Sequence, residues 1–360
     1  MTRVRLNLGE RSYTIIINKD NYAGLGKEIK NLSIGKDAFI VTDQRIAKIL
    51  GRKITSSLKN KNLTSHIETV PTSEKSKSLK TWTNLIEKLV SFDKRKELFL
   101  VALGGGVVGD LTGFIASVYK RGIPYIQIPT TLLAQVDSAI GGKNAIDLPC
   151  GKNILGTFYQ PRLVYSEISA LKSLSLREIK NGLAEVIKYG AIKNKKLFRY
   201  LEDTDLNSNS FNWEYIILEC TKIKKEIIEQ DEYDKKELRM ILNFGHTIGH
   251  GIETASEYSR KYSHGEAISL GMLCATEIGI MLGITPLKDL KRLENLIIKI
   301  GLPQKIRYLK LDNIIRAITY DKKFRGLKTR LVILEEIGKA KIVKDISWNL
   351  IKRVIKKRMA

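Results

Sequence analysis

The chain has 360 residues, of which 43% are hydrophobic and 28% are charged. This length favours two domains, and this balance excludes a largely disordered chain. Sixty-two lysines and arginines outweigh 38 aspartates and glutamates, giving a formal net charge of +24. The basic residues are spread along the whole chain without an RNA-binding aromatic signature. We therefore expect small anionic molecules as partners, with neither nucleic acid nor a membrane.

The predicted elements change in type along the chain. In the first half, β-rich runs at 37–42, 97–103 and 125–128 predict buried parallel strands separated by helices. After about Ser175 the helical patterns are 177–189, 215–230, 241–255 and 267–282, and 331–334 with 340–343 predicts a late hairpin. The sequence thus predicts an α/β fold, with a Rossmann-like parallel-sheet domain over 1–174 followed by a mostly α-helical domain over 175–360.

Cysteines and the N-terminus indicate the compartment. Cys150, Cys220 and Cys274 are odd in number and lack CxxC spacing, which favours neither a disulfide framework nor a cysteine zinc site. Residues 1–9 alternate apolar with polar side chains, as a strand does, and lack the apolar core of a signal peptide. We expect a cytoplasmic protein.

Two apolar patterns in the second half have competing interpretations. The stretch 267–287 approaches membrane-spanning length, but Glu277 and several glycines within it favour a buried helix. The basic tail at 352–358 overlaps apolar residues at helical spacing between 348 and 355, which indicates a docked terminal helix more than a nucleic-acid arm.

A glycine-rich turn follows the second predicted strand. The run GGGVVGD at 104–110 satisfies G-x-G-x-x-G between a strand and a helical pattern, where backbone N–H groups can approach a pyrophosphate. A tight structural turn is the alternative. Asp43 ends the first predicted strand, where its carboxylate could bind a ribose hydroxyl or cap the next helix.

Three of the four histidines are clustered between positions 246 and 264. His246 and His250 are four residues apart, so on a helix their imidazoles share one face. A catalytic zinc site usually adds a carboxylate to two histidines and keeps one position open. The candidate carboxylates are Glu185, Glu253 and Glu266. Histidines that bind nothing remain the alternative.

Several cations stand in apolar or glycine-rich contexts. They are Lys143, Lys152, Lys188 and Arg239, beside Asn153, Glu185 and Asn243. Because lysine is seldom buried without a partner, such a set suggests a pocket for an anion, although each residue alone could be ordinary surface. Glu185 and Lys188 face the same way on a helix, as an ion pair or as a metal ligand beside an anion-binding ammonium.

Six ordered motifs together resemble the dehydroquinate synthase family of the sugar phosphate cyclase superfamily. They are GGGVVGDLTGF (104–114), IPTTLLAQVDSAIGGK (128–143), GKN (151–153), GLAEVIKY (182–189), LNFGHTIGH (242–250) and HGEA (264–267). The match is collinear from about Asp43 to Gly338. Six motifs in order are far more specific than any one of them.

The resemblance implies a lyase of the shikimate pathway of aromatic amino-acid biosynthesis, 3-dehydroquinate synthase in activity. Such an enzyme converts 3-deoxy-D-arabino-heptulosonate 7-phosphate to 3-dehydroquinate and inorganic phosphate. The steps are transient oxidation by NAD, phosphate elimination, re-reduction and intramolecular aldol closure. NAD, a divalent metal (zinc, with cobalt as the alternative) and a homodimer are implied. The competing interpretations are another sugar phosphate cyclase and a metal-dependent polyol or glycerol dehydrogenase.

The resemblance also implies roles for individual residues. The metal ligands are Glu185, His246 and His264. The NAD contacts are Asp43, Glu74, Lys77, Gly105, Gly106, Val107, Val108, Gly109, Asp110, Thr130, Thr131, Ala170, Leu171, Lys172 and Ser173, with Lys143 and Lys152 between cofactor and substrate. The catalytic and substrate-handling positions are Arg121, Asp137, Lys143, Lys152, Asn153, Lys188, Lys224, Arg239, Asn243 and His250. Among these, Arg121 is expected to reach the neighbouring subunit's active site, and His250 to contact the substrate phosphate.

Some positions depart from the family pattern. The segment 231–239 is one residue longer, which leaves open whether Lys224 or Lys225 is the substrate contact and whether Asp234 takes part. A late lysine of the family could be Lys322 or Lys323. Asn144 and Ser173 stand where threonine is usual.

Overall fold

The computed structural model describes residues 1–94, 96–149, 151–205, 211–256, 261–320 and 329–360. The chain divides into two units: Met1–Ser175 with Trp213–Tyr233, and Leu176–Asn212 with Asp234–Ala360. The continuous ranges expected from the sequence, 1–174 and 175–360, did not include this return of Trp213–Tyr233 to the first unit.

The strands form one large sheet and two hairpins. They are β1 (Thr2–Leu6), β2 (Tyr13–Asn18), β3 (Asp37–Asp43), β4 (Thr64–Val70), β5 (Leu98–Gly104), β6 (Tyr125–Pro129), β7 (Lys143–Leu148), β8 (Gly151–Phe158), β9 (Leu163–Glu167), β10 (Arg330–Glu336) and β11 (Lys339–Lys344). The sheet has the order β1-β2-β9-β6-β5-β3-β4 and is parallel except for the β1–β2 pair. β7 with β8 and β10 with β11 are antiparallel hairpins.

Helices surround the sheet in the first unit and dominate the second. They are α1 (Leu25–Asn31), α2 (Gln44–Lys59), α3 (Leu79–Phe92), α4 (Gly106–Val118), α5 (Leu176–Lys193), α6 (Lys195–Asp203), α7 (Trp213–Gln230), α8 (His246–Ala255), α9 (His264–Met281), α10 (Leu287–Ile300), α11 (Leu311–Tyr320) and α12 (Trp348–Arg358). Within the described ranges, no helix has the length and apolarity needed to span a membrane.

The inner strands are almost wholly buried because the sheet is covered on both faces. β5 has six buried residues in a run of seven, as an apolar parallel strand should. Two clusters of apolar side chains, one centred on Ile40 and Val101 and the other on Val41 and Leu100, pack on opposite faces of the sheet. The predicted α/β fold with a Rossmann-like sheet is therefore confirmed.

The strand order of the sheet reverses between β3 and β5. From β3 the chain crosses to β4 on one side, and β5 then pairs on the other side of β3, with Thr42 opposite Leu103. Ligands of open parallel sheets bind at the carboxyl ends of strands beside such a reversal. Asp43 and the glycine turn at Gly104 both stand at those strand ends.

In the second unit α8 packs tightly on α9. The helix predicted over 241–255 is wrong at its start: Leu238–Asn243 is a short 3₁₀ helix, and α8 begins at His246. Gly245 between them has a φ of 78°, and a Cβ there would lie 2.8 Å from the Ile268 carbonyl oxygen of α9. Because only glycine fits this turn, His246 is placed in the first turn of α8.

Candidate metal, cofactor and substrate sites

Three ligand-type side chains converge in the second unit. Glu185 comes from α5, His246 begins α8 and His264 begins α9, and their donor atoms lie within 4.8 Å of one another. The Glu185 Oε1 atom is 3.4 Å from His246 Nε2 and 3.1 Å from His264 Nε2. Two imidazoles and a carboxylate form the donor set of a catalytic zinc or cobalt site, so these residues fit a divalent metal.

Local structure fixes both histidine rings. A capping box between Ser263 and Glu266 starts α9, which makes His264 its first residue. The Nδ1 atoms point away from the shared carboxylate: His246 Nδ1 lies 3.2 Å from the Phe244 carbonyl oxygen, and His264 Nδ1 lies 3.3 Å from Glu253 Oε2. With Nδ1 of each ring used in this way, the Nε2 atoms of both rings face Glu185 and are the nitrogens available to a metal.

Opposite charges in this cluster are in direct contact with one another. Lys188 is 1% exposed and forms an ion pair with Oε2 of the fully buried Glu185. Burial, the largest effect, would lower the pKa of His264, but Glu253 and Glu185 outweigh it and raise that pKa to about 10. Of the other carboxylates considered from the sequence, Glu266 is used by the capping box and by Arg177 at 2.8 Å.

Three predicted substrate residues lie on the same stretch of the second unit. The ring of His250 is 5.3 Å from that of His246 and 6.1 Å from that of His264, measured between centroids. Arg239 is 4% exposed and, like Asn243, belongs to the 3₁₀ helix before α8. His250, Glu253 and His264 also form a second group whose donor atoms could hold a metal, so two candidate donor sets share His264.

The glycine turn of the first unit fits a pyrophosphate. A Cβ at Gly105 would lie 3.0 Å from Thr131, and one at Gly106 would lie 3.0 Å from the Ser138 hydroxyl. α4 starts at this turn without a side-chain cap, which leaves its first N–H groups for an anion. Within the described chain the buried Thr130 hydroxyl has no hydrogen-bond partner, and Thr130 N–H donates to the Gly104 carbonyl. The glycines therefore permit close packing against Thr131 and Ser138, and the uncapped start of α4 is the part of the turn that fits a pyrophosphate.

Asp43 caps a helix, as the alternative interpretation of the sequence held. Its Oδ1 atom accepts hydrogen bonds from the N–H groups of Arg45 and Ile46, each at 2.9 Å, and from the Thr72 hydroxyl at 3.2 Å. All three bonds end on Oδ1, so the cap and a ribose contact through Oδ2 are compatible. The Arg45 guanidinium also bonds the carbonyl of Ser173, in the 3₁₀ helix Ile168–Ser173 that contains the predicted NAD segment 170–173.

A buried ion pair stands beside the glycine turn. Lys77, 6% exposed, contacts Asp110 of α4 and also donates to the side-chain oxygen of Asn153. Burial would lower the pKa of Lys77, but Asp110 outweighs it and holds that pKa above its ordinary value. The Lys152 ammonium lies 3.4 Å from Glu74. Five of the predicted cofactor and substrate residues are thus brought together.

Asp137 and Lys224 form a second ion pair in the first unit, in which the lysine is buried and the aspartate is partly exposed. Asp137 lies in a single π-helical turn, Ala134–Ser138, of the kind that often marks a functional site. The Lys224 ammonium donates to the Asp137 carbonyl oxygen at 2.7 Å and contacts its carboxylate. Lys225 instead pairs with Glu229 one turn along α7, at 2.8 Å. The geometry thus favours Lys224 over Lys225 as the substrate contact that the sequence left open.

Arg121 stands on a turn of unusual backbone conformation. Lys120, Arg121 and Gly122 have φ values of 48°, 68° and 123°. Asp93 fixes the turn, since its Oδ2 accepts from the Tyr119 hydroxyl at 2.7 Å and from Lys120 at 2.5 Å. Burial, with Asp93 adding to it, raises the pKa of Tyr119 to about 12, so the phenol stays a donor. Such strain is typical of functional positions.

The remaining predicted residues have separate positions. Lys143 begins β7, with its ammonium 5.7 Å from the centre of the Phe158 ring. Asp234 has a φ of 57°. Lys322 and Lys323 lie outside the described residues. Asn144, in place of the usual threonine, is buried and donates to the carbonyls of Gly142 and Tyr159 at 2.9 Å each.

Sequence reasoning missed two neighbours of these sites. Asp147 accepts a hydrogen bond from the backbone N–H of Asn153 at 2.8 Å, and no motif marked it. Glu253 was considered only as a metal ligand. Its position seven residues after His246, on the same helix face, was the signal available for a supporting role.

In fold the chain is similar to solved sugar phosphate cyclases. The crystal structure of 2-deoxy-scyllo-inosose synthase with carbaglucose-6-phosphate, NAD+ and Co2+ has a TM-score of 0.89 at 29% identity, covering 99% of this chain and 100% of that one.

Sequence comparison narrows the class. Residues 67–181 match the N-terminal family model of 3-dehydroquinate synthase, and residues 182–324 match the C-terminal one. The 3-dehydroquinate synthase of Thermodesulfovibrio yellowstonii is 42% identical and covers 99% of both chains. That of Clostridium acetobutylicum is 44% identical over 94% of this chain and 95% of its own. The chain belongs to the 3-dehydroquinate synthase family, which confirms the predicted resemblance and does not favour the dehydrogenase alternative.

Proposed function

We propose that the chain converts 3-deoxy-D-arabino-heptulosonate 7-phosphate to 3-dehydroquinate and inorganic phosphate with catalytic NAD and a divalent metal. The observation that carries this is the convergence of Glu185, His246 and His264 within 4.8 Å in a chain more than 40% identical to curated synthases. When bound, NAD supplies a reversible hydride acceptor and the metal supplies a Lewis acid.

The first unit holds the dinucleotide in this proposal. Asp43 offers Oδ2 to a ribose hydroxyl while Oδ1 caps α2. The glycine turn offers backbone N–H groups to the pyrophosphate, and Thr130 offers a buried hydroxyl beside it. The Lys77–Asp110 pair holds the 3₁₀ turn Glu74–Ser76 against α4, and so fixes the wall of this site.

The substrate's two anionic groups are bound by cations and amides. In the second unit Arg239, Asn243 and His250 supply donors to an anionic group of the substrate. Lys224 keeps the substrate-handling role that the family resemblance implies, and its ammonium donates to the Asp137 carbonyl oxygen within the first unit. Charge-assisted hydrogen bonds contribute about 1.5–3 kcal/mol each. The sequence-based roles of Lys143, Lys152, Asn153 and Lys188 belong to the same proposal. Arg239, as a partner for the substrate carboxylate, separates this synthase from cyclases whose sugar phosphate substrates carry no carboxylate.

We also propose a cytoplasmic homodimer. Cys220 and Cys274 are buried free thiols, and burial raises the pKa of Cys274 to about 12, which suits a reducing compartment. The homodimer and the role of Arg121 across a two-fold interface rest on the family resemblance. Within one subunit Arg121 lies on a strained turn that Asp93 fixes.

The fate of the hydride tests the proposal. With the heptulosonate phosphate and catalytic NAD, inorganic phosphate should form in large excess over enzyme with no net rise in NADH absorbance. Chelation should stop phosphate release, and added zinc or cobalt should restore it. Stoichiometric NADH with glycerol as substrate would favour a dehydrogenase instead. Phosphate release from glucose 6-phosphate but not from the heptulosonate phosphate would favour another cyclase.

A further inference from the structure

His264 lies between two carboxylates, one at each ring nitrogen. Glu185 Oε1 is 3.1 Å from Nε2, and Glu253 Oε2 is 3.3 Å from Nδ1. Glu253 is 7% exposed, so little solvent competes for its carboxylate. It lies on α8 seven residues after His246, which puts the ligand-type histidine and this carboxylate on one face of the helix.

The geometry of imidazole separates the roles of these carboxylates. The two ring nitrogens point in different directions, so a metal held by Nε2 beside Glu185 lies on the far side of the ring from Glu253. A histidine ligand usually donates its other N–H to a carboxylate or carbonyl, which fixes the ring and makes the metal-binding nitrogen more basic. His246 has such a carbonyl partner in Phe244, at 3.2 Å.

We propose that Glu253 is a positioning residue for His264: it accepts the Nδ1–H and directs Nε2 to a metal shared with Glu185 and His246. The inference rests on the proposed metal site and gives Glu253 a role other than ligation. Of the two donor groups that share His264, the one containing Glu185 is then the metal site. In the other group, of His250, Glu253 and His264, Glu253 orients His264 and does not bind the metal.

Metal affinity measured by chelator competition tests the role of Glu253 without relying on activity. Glu253→Ala should weaken zinc binding about 10–100-fold, the effect of losing such a partner, while one metal per subunit still binds at saturation. Glu253→Gln should lose less zinc affinity than Glu253→Ala, because the glutamine amide oxygen still accepts the Nδ1–H of His264. The visible spectrum of the cobalt-substituted variants should match that of the unsubstituted protein, since the ligands are unchanged.

Glu266→Gln is the matched control. Glu266 also lies at the start of α9, but it accepts from Ser263 and Arg177 and from neither histidine ring in the described hydrogen bonds. Its zinc affinity should stay within twofold of the unsubstituted protein. The circular dichroism of each metal-free variant verifies folding, and Glu253→Gln preserves the side-chain volume.

Two results would contradict the role of Glu253 while leaving the proposed metal site in place. Unchanged zinc affinity in Glu253→Ala would show that the contact does not position His264. A changed cobalt spectrum, or loss of stoichiometric metal in that variant, would make Glu253 a ligand. Failure of the proposed site looks different: His246→Ala would then bind zinc as tightly as the unsubstituted protein, and both the site and the inference would be wrong.

Discussion

One glutamate in the second unit holds two cations of very different exposure. Glu277, in the apolar middle of α9, is 3% exposed and pairs with Lys357 and Arg358 of α12. The Arg358 side chain is 9% exposed and also contacts Glu294 at 2.7 Å, whereas the Lys357 side chain is 64% exposed. The basic tail is thus a docked helix, as its apolar spacing predicted.

We expect Arg358→Met to destabilise the protein far more than Lys357→Met. Removing one partner of a buried pair costs about 3–5 kcal/mol. Because Glu277 keeps Lys357 and Glu294 is partly exposed, the lower end, about 3 kcal/mol, applies to Arg358→Met. The exposed Lys357 pair should contribute about 0–1 kcal/mol. For a unit of this size, the loss expected for Arg358→Met corresponds to a Tm decrease of roughly 6–12 °C. The loss expected for Lys357→Met corresponds to a Tm decrease of roughly 4 °C at most.

Urea unfolding followed by circular dichroism measures the free energy of unfolding of both variants under the same conditions. Methionine retains most of the aliphatic stem of either side chain, so the comparison isolates the charge. A Glu277→Leu, Arg358→Leu double variant should recover part of the loss, since two apolar side chains remove the unpaired buried charge. Equal losses for Lys357→Met and Arg358→Met, or no loss for Arg358→Met, would refute the reasoning.

The other predictions concern the site. His246→Ala should lose bound metal, whereas His250→Ala should keep it and lose at least about tenfold in turnover, as metal analysis and phosphate release would show. Lys224→Ala should likewise lose about tenfold or more, and Lys225→Ala should stay near the original rate, because its ammonium pairs on the helix surface. Mixed Arg121→Ala and His246→Ala subunits should regain activity, since one site in the heterodimer has both parts intact.

For each of these predictions, a specific outcome would contradict it. Full metal content in His246→Ala would remove that residue from the ligands. Equal rates for the two lysine variants would mean that burial beside Asp137 does not mark the substrate contact. If subunit exchange is verified independently and activity does not return, Arg121 acts within its own subunit or not at all.

Local patterns predicted the adjacent central strands β6, β5 and β3 because the features involved are local, whereas β2, β4 and β9 of the same sheet were not predicted. Apolar runs marked β3, β5 and β6, and the glycine turn followed β5 as expected. The start of α8 was missed for a non-local reason: the left-handed turn at Gly245 is required by the close approach of α9, which no pattern within 241–255 contains.

The metal cluster could not be assembled from spacing alone. Helical spacing paired His246 with His250, but the structure pairs His246 with His264, which begins a different helix. Three carboxylates were open candidates, and Glu185 and Glu253 differ only in tertiary contacts. Glu185 faces both Nε2 atoms, Glu253 faces Nδ1, and Glu266 caps α9. The resemblance to a family selected Glu185, and the geometry supplies a physical reason for that choice.

Lys143, Lys152 and Lys188 were the lysines expected to mark an anion pocket; Lys143 is exposed, Lys188 is buried, and Lys77 and Lys224 are buried as well. The structure gives each of the three buried lysines a carboxylate partner of its own. Lys77 pairs with Asp110, Lys188 with Glu185, and Lys224 with Asp137. Each pair is formally neutral, so the net charge of +24 does not become a strong positive field at these positions. We therefore expect an anionic substrate to be bound by oriented donors more than by excess charge, because each ammonium is fixed by its carboxylate. Long-range attraction is weakened by salt, whereas short contacts of buried groups are weakened far less. Moderate salt should therefore slow capture of the substrate more than it changes turnover at saturation.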